Sequence, residues 1–205
     1  MPKTTCKRSR KAALIFMVPA ATLLLQGCGQ EKTVEAQVYN TPDECAAFYN
    51  PPAQCQAAFE EAAALHPQVA PRYANKQECE ADFGAGSCET APQQQSAQGS
   101  FFMPMMMGFM AGQMLNRGGM GAQSPQQSSA AARNSVPTQP LYKSRDDRST
   151  FRTASNAPVA SQSGPTQVRP SAVQPKPASL ARRGGFGSQA QQRATAAQRS
   201  SSYGG

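Results

Sequence analysis

Hydrophobic positions are unevenly distributed along this chain, and the densest run lies near its start. Residues 12–25 are uncharged and mostly apolar, and the segment before them carries no acid and five bases: Lys3, Lys7, Arg8, Arg10 and Lys11. A positive segment followed by an apolar one is typical of a secretory signal peptide. As a helix, about 14 residues rise only ~21 Å, which is short of the ~30 Å hydrocarbon core of a bilayer. The pattern therefore predicts a signal peptide over residues 1–27.

The apolar run ends in Leu25-Gln26-Gly27-Cys28, which resembles the lipobox of bacterial lipoproteins. The resemblance implies a diacylglyceryl thioether on Cys28, cleavage just before it, and acylation of the new amino group. Two or more acyl chains give stable membrane anchoring. Gly29, with no aspartate after the cysteine, resembles the sorting pattern for the outer membrane. The alternative is an uncleaved signal anchor in which Cys28 has no role.

After the signal peptide, charge separates along the chain. Residues 28–92 hold three bases and ten acids, whereas residues 93–205 hold twelve bases and two acids, within an overall net charge of +8. Such asymmetry indicates regions with different partners. We therefore divide the mature chain into an acidic Cys-repeat domain (28–92), a Met/Gly-rich apolar segment (93–121) and a basic Ser/Gln/Pro/Arg tail (122–205).

The acidic domain contains an internal repeat, in which "YNTPDEC" begins at Tyr39 and "YANKQEC" begins at Tyr73. Each copy opens with a helix-start signal, because Thr41 and Asn75 are capping residues. Between the copies, residues 56–66 are alanine-rich and predict a helix that Pro67 ends. Alternating apolar residues over 34–38 predict a short strand upstream. The predicted fold is a small α-rich (α+β) domain built from a duplicated Cys unit.

Four cysteines lie in this domain, at Cys45, Cys55, Cys79 and Cys88. In an exported domain of this size they indicate two disulfide bonds, which a small core needs for stability. The duplication favours Cys45–Cys55 and Cys79–Cys88, although four cysteines allow three pairings. A zinc site is the alternative, but zinc ligands usually come in close C-x₂₋₄-C pairs. We therefore predict no metal at these cysteines.

A methionine-rich stretch, "FFMPMMMGFMAGQML", begins at Phe101 and is the only long apolar run after the signal peptide. Helical spacing places several methionines along one side, and the run is too short to span a bilayer. We expect it to contact a membrane or a partner, since methionine adapts to such surfaces. A Cu(I) site built from thioethers is the alternative. The residues assigned to this contact are Phe101, Phe102, Met103, Met106, Met107, Met110 and Met114.

The basic tail has almost no large aliphatic residues, a composition that cannot bury enough apolar surface to fold. We expect residues 122–205 to be largely disordered. Their bases are densest in "KSRDDRSTFR", which begins at Lys143, and in "RRGGFG", which begins at Arg182. This charge suits anionic envelope polymers, namely lipopolysaccharide phosphates or peptidoglycan carboxylates, although a soluble spacer fits the composition equally well. One RGG-like copy is weak evidence for RNA, so we predict no nucleic-acid partner.

The chain carries none of the common catalytic motifs for nucleophilic, nucleotide-dependent or metal-dependent chemistry. His66 is its one histidine, and its place beside Pro67 predicts an exposed side chain at a helix end. We therefore expect neither an enzyme nor a resident cofactor. The oligomeric state has no signal in the sequence.

Several of these segments together resemble the YgiB/YjfM family of Gram-negative bacteria. The resemblance rests on the lipobox, "RYANKQECEADFGAGSC", "FFMPMMMGFMAGQML" and "RRGGFG". It implies a cell-envelope role, an association by name with biofilm formation, and no catalytic residues. Because family members accompany an ATP-grasp peptide–amine ligase, an accessory role to such an enzyme is a further alternative. We expect a non-enzymatic lipoprotein of the outer membrane, with its cysteine-rich domain in the periplasm.

Overall fold

A six-stranded antiparallel sheet organises the chain in the computed structural model, which describes residues 31–92, 100–112 and 136–201. Its strands are β1 (Val34–Tyr39), β4 (Gly108–Ala111), β5 (Gln139–Ser144), β6 (Asp147–Arg152), β7 (Pro158–Ala160) and β8 (Gly164–Val168). Their spatial order is β7-β6-β5-β4-β1-β8. A separate two-stranded ribbon pairs β2 (Cys88–Thr90) with β3 (Phe102–Pro104).

The sheet nearly closes on itself. Strand β1 lies between β8 and β4, with Val34 opposite Val168 and Val38 opposite Met110. At the two ends of the strand order, the Thr166 hydroxyl on β8 donates to a carbonyl oxygen on β7 at 3.2 Å. The described residues from Thr33 onward belong to one structural unit.

The predicted α-rich fold with a largely disordered remainder is wrong. Strands β5 to β8, and the helix that ends the described chain, all come from the segment that was expected to be disordered. Each of these strands contributes only one or two large apolar side chains, such as Leu141, Phe151 and Val159, to a core that β1 and β4 complete. The tail has too few apolar residues to form a core by itself, but those it has are buried against strands from elsewhere in the chain.

Four α-helices lie in the described residues: α1 (Pro42–Ala47), α2 (Pro52–Val69), α3 (Lys76–Phe83) and α4 (Ser188–Ser201). Both predicted caps are confirmed, because Thr41 Oγ1 accepts from Glu44 N at 3.1 Å and Asn75 Oδ1 accepts from Glu78 N at 2.9 Å. Pro67 does not end α2, which continues to Val69. Among all the described residues, no helix has the length and apolar character needed to cross a bilayer.

Both disulfide bonds of the favoured pairing are present, Cys45–Cys55 and Cys79–Cys88. The first joins α1 to α2, whereas the second joins α3 to strand β2. The two copies of the sequence repeat therefore share a capped helix and a crosslink but diverge after the second cysteine.

The methionine-rich stretch forms strands β3 and β4 instead of the expected helix. A Cβ added to Gly108 would lie 2.6 Å from the Tyr39 carbonyl oxygen, and one added to Gly112 would lie 2.6 Å from the Val136 carbonyl oxygen. Its glycines thus allow close backbone contact between neighbouring segments.

Candidate anion-binding site

Two cavities lie beside α3 and the hairpin that joins β5 to β6. The first, of about 340 Å³, is lined by α3, the hairpin and the loop before α4, and we call it the arginine cavity. The second, of about 370 Å³, is lined by the end of α3, the hairpin and the methionine-rich stretch, and we call it the methionine cavity. Both volumes fall in the range of small-ligand sites.

Asp82, in the last turn of α3, holds the loop that forms one wall of the arginine cavity. Its carboxylate accepts hydrogen bonds from the backbone N–H groups of Gly184, Gly185 and Phe186, at 2.6, 3.1 and 3.3 Å. Its fourth donor is the hydroxyl of Tyr73, at 3.0 Å. Burial and the Asp82 charge both raise the pKa of Tyr73, so this hydroxyl stays protonated and donates. Asp82 therefore fixes the glycines of the "RRGGFG" segment.

Phe186 anchors the same loop through packing. Its ring lies 4.7 Å from the Phe83 ring and 6.2 Å from the Tyr142 ring, between centroids, and the side chain is 5% exposed. Such aromatic contacts each contribute about 0.5–1.5 kcal/mol beyond area burial. The loop is thus held by an apolar anchor on one side and a carboxylate on the other.

Asp146, in the hairpin, caps helix α4 from outside the helix. Its carboxylate accepts from Ser188 Oγ at 3.0 Å and from Gln189 N at 2.9 Å, and also from Ser144 Oγ. Burial raises the pKa of Asp146, but hydrogen bonds from Ser144, Gln189 and both the side chain and the backbone of Ser188 together outweigh burial, and the net shift is downward. Asp146 is therefore ionised at neutral pH, and its charge lies at the positive end of the α4 dipole.

Three arginines face the arginine cavity, from three different segments of the chain. Arg145 belongs to the hairpin, Arg183 to the glycine loop and Arg193 to α4. The Arg193 guanidinium donates to the Gly184 carbonyl oxygen. Among the described residues, the side chains of Arg145 and Arg183 have no hydrogen-bond or ion-pair partner, and both are exposed.

The aspartates and arginines that line this cavity differ in how far their charges are already satisfied by protein partners. Asp82 and Asp146 also line it, so the described lining residues contribute three arginines against two aspartates, which leaves one net positive charge. Each aspartate carboxylate already accepts hydrogen bonds from three or more protein donors, whereas the guanidinium groups of Arg145 and Arg183 have no acceptor among the described residues. Because guanidinium binds carboxylate and phosphate groups through paired N–H donors, this arrangement suits an anionic ligand.

His66 forms a second polar cluster, together with buried Tyr142 and exposed Glu89. Its Nδ1 lies 2.8 Å from the Tyr142 hydroxyl, and its Nε2 lies 3.3 Å from a carboxylate oxygen of Glu89. The prediction of an exposed His66 side chain is wrong, since this residue is 8% exposed. Burial lowers the pKa of His66 more than its bond with Glu89 raises it. None of these three residues lines either cavity, so the cluster has a structural role in holding α2 against β5.

The residues assigned to membrane or partner contact are dispersed. Met103 and Met110 are buried in different hydrophobic clusters, and Met106 packs against a third. Phe101 and Phe102 are half-buried beside Met103, and Met107 is partly exposed. This distribution does not favour a single thioether copper site, and no group of three His, Cys, Asp or Glu side chains in the described ranges is placed to hold a metal. Cys28 and Met114 lie outside the described residues.

Sequence reasoning noted both dense groups of bases but missed that the fold brings them together. Arg152 belonged to the same group, yet it is 3% exposed and forms an ion pair with Asp147 at 2.9 Å. The glycines of "RRGGFG" were the available signal, because Gly184 and Gly187 adopt φ values of 74° and 98° that favour glycine.

The fold and site thus define a disulfide-bonded domain with a nearly closed antiparallel sheet and an arginine-lined cavity on one face. The chain belongs to the family described as "Protein of unknown function (DUF1190)", which it matches over residues 33–197. It is 34% identical to the UPF0441 protein of Erwinia tasmaniensis over 207 aligned positions, which cover 96% of this chain and 89% of that protein. No solved structure matches the chain.

Proposed function

We propose that the protein is a non-enzymatic lipoprotein of the cell envelope that binds an anionic envelope polymer through the arginine cavity. The observation that carries this proposal is the pair of unpartnered guanidinium groups, on Arg145 and Arg183, within the part of the chain that is described. The polymer groups that fit are the phosphates of lipopolysaccharide or the carboxylates of peptidoglycan. Both present repeated negative charge, which favours multivalent binding.

Three features support an envelope location for this function. The first is the predicted signal peptide, whose lipobox-like ending predicts a lipid anchor on Cys28 and, with Gly29 after it, outer-membrane sorting. The second is the pair of disulfide bonds, which persist in oxidising compartments outside the cytoplasm. The third is the resemblance to YgiB/YjfM proteins, which links the proposal to biofilm formation and surface properties.

The test is co-sedimentation of the purified protein with peptidoglycan sacculi and, separately, with lipopolysaccharide. We expect binding at low ionic strength that weakens in 0.5 M salt, because exposed charges are screened within about 10 Å at 0.1 M salt. The double variant Arg145→Gln/Arg183→Gln should lose about tenfold in affinity for each arginine, since each loses a charge-assisted hydrogen bond.

The matched control is Arg169→Gln/Lys176→Gln, which removes the same charge from two exposed residues outside the arginine cavity. It should retain most of the affinity. Equal losses in the two double variants would mean that net charge alone drives binding, and the cavity would have no part in it. No sedimentation with either polymer at low salt would end the proposal.

A further inference from the structure

The methionine cavity has a different chemistry from the arginine cavity. One wall is apolar and consists of Phe83, Met105 and Met107, and the other carries Lys143 and Arg148. Two serines, Ser87 and Ser144, complete the polar part of the lining, and none of the described residues that line the cavity is a carboxylate. The arginine cavity, in contrast, contains two carboxylates.

Two methionine side chains of the apolar wall, Met105 and Met107, are exposed to solvent. Met105 and Met107 are 43% and 45% exposed, whereas Met103 and Met110 in the same stretch are at most 4% exposed. Backbone hydrogen bonds hold this part of the stretch in place, from Met105 N to the Ser87 carbonyl oxygen and from Met107 N to the Leu141 carbonyl oxygen, both at 2.9 Å. Adaptable thioether side chains on a fixed backbone are typical of sites that accept varied apolar groups.

The polar wall of the methionine cavity carries two cations, Lys143 and Arg148. The Lys143 ammonium lies 3.9 Å from the centroid of the Phe151 ring. The Arg148 guanidinium lies beside Gly84, where an added Cβ would be 3.8 Å from its Nη2 atom. Among the described residues, Arg148 has no hydrogen-bond or ion-pair partner. A guanidinium without a partner, at the edge of an apolar surface, favours a ligand that carries its own anion.

We propose that the methionine cavity binds an amphipathic anion, with an aliphatic tail against Met105 and Met107 and a carboxylate or phosphate head at Arg148 and Lys143. The cavity of about 370 Å³ has room for a medium-length alkyl chain but not for a folded domain. This inference goes beyond polymer binding, because it concerns another cavity and another class of ligand. The ligand can come from a free fatty acid or from a lipid phosphate, which share this chemistry.

The experiment titrates the full chain, reconstituted in nanodiscs of zwitterionic phospholipid, with four water-soluble probes, and empty nanodiscs give the blank. Octanoate and octyl phosphate carry both tail and anion, octyltrimethylammonium reverses the head charge, and acetate has no tail. We expect saturable binding of octanoate or octyl phosphate, and at least tenfold weaker binding of the other two probes. The stronger of the first two identifies the head group as carboxylate or phosphate.

Two variants assign the binding to this cavity. Arg148→Gln should weaken the anionic probe about tenfold, as expected for one charge-assisted hydrogen bond, and Met105→Ser/Met107→Ser should abolish saturable binding. Leu180→Ser is the matched control, because Leu180 is another exposed large apolar residue, at 62%, and lies outside both cavities. It should leave the affinity unchanged, and circular dichroism should show that all variants retain the fold.

Equal affinity for octanoate and octyltrimethylammonium would overturn the proposal, because it would indicate unspecific adsorption of alkyl chains. An absence of saturable binding to either anionic probe would overturn it as well. Failure here is distinguishable from failure of polymer binding, since Arg145→Gln/Arg183→Gln leaves the lining of the methionine cavity intact. The methionine variant should in turn sediment normally with the polymer.

Discussion

Replacement of Asp82 by asparagine should destabilise the protein more than its single-atom change suggests. The side chain keeps its shape, but one of its two oxygens becomes an NH₂ group. The Oδ2 atom accepts from Gly185 N, Phe186 N and the Tyr73 hydroxyl, and the Oδ1 atom accepts from Gly184 N. The asparagine oxygen can retain the three bonds at the Oδ2 position, and its NH₂ group then faces the Gly184 N–H.

The magnitude follows from these four contacts. A backbone donor that loses its acceptor in a buried site costs about 1–3 kcal/mol. The three retained bonds become neutral, and charge-assisted hydrogen bonds are roughly twice as strong as neutral ones. Asp82→Asn should therefore lower the free energy of unfolding by about 3 kcal/mol, which is within the upper range for single substitutions.

Urea denaturation of the disulfide-intact protein measures this loss. Amide hydrogen exchange should also show faster exchange at residues 184–186, because the carboxylate that holds them is gone. Glu61→Gln provides the control, as the same chemical change on an exposed residue of α2, and it should alter stability by less than about 0.5 kcal/mol. A loss for Asp82→Asn no larger than that of the control would refute the reasoning.

Three further predictions concern pH and backbone geometry. Burial raises the pKa of Asp147, but the hydrogen bonds from Arg152, Thr150 and Ser149, together with the Arg152 charge, outweigh burial and lower the pKa to about 2. A stabilisation of at most ~2 kcal/mol, reduced by solvent screening, should therefore be present above pH ~4 and be lost as the pH falls toward 2. Asp147→Asn should remove this loss from acid titrations followed by circular dichroism. Burial lowers the pKa of His66 below 6.5, so stability should decline as the pH falls from 7 to 5, and a wild-type decline retained in His66→Gln would contradict this assignment. Gly187→Ala should cost at least ~2 kcal/mol in thermal unfolding, because its Cβ would overlap the carboxylate that caps α4 at a φ of 98°. Gly86→Ala, with a φ of 75° and open space around it, should cost only the strain of about 1 kcal/mol, and equal costs would exclude the overlap.

Local signals in the sequence predicted local structure correctly. The caps at Thr41 and Asn75 and the within-repeat disulfides depend on residues close together in the chain. The strands of the tail depend on distant partners, since β8 pairs with β1 and β5 pairs with β4. Strand β7 contributes one large apolar residue, Val159, to the core. Such a strand carries no periodicity that a sequence window can detect.

The methionine-rich stretch shows how one pattern can fit two structures. Apolar residues at nearly every position fit a helix and a buried strand equally well, and periodicity cannot separate the two. Gly108 and Gly112 decide the outcome, because each contacts a neighbouring carbonyl oxygen that a side chain would displace. That contact exists only in the folded sheet, so the sequence alone has no signal for it.

The arginine cavity depends on the same long-range assembly, and Asp82 couples its stability to its binding chemistry. The Asp82 carboxylate orders the glycines that follow Arg183. The backbone carbonyl oxygen of Asp82 accepts a hydrogen bond from Arg145 N at 2.7 Å. Asp82 therefore fixes the backbone at Arg145 and immediately after Arg183. Because a ligand that binds only the ordered loop stabilises it by mass action, an anion held by both guanidinium groups should reinforce the contacts that Asp82 makes. Asp82, although negatively charged, thus positions the backbone that carries the two positively charged side chains, Arg145 and Arg183.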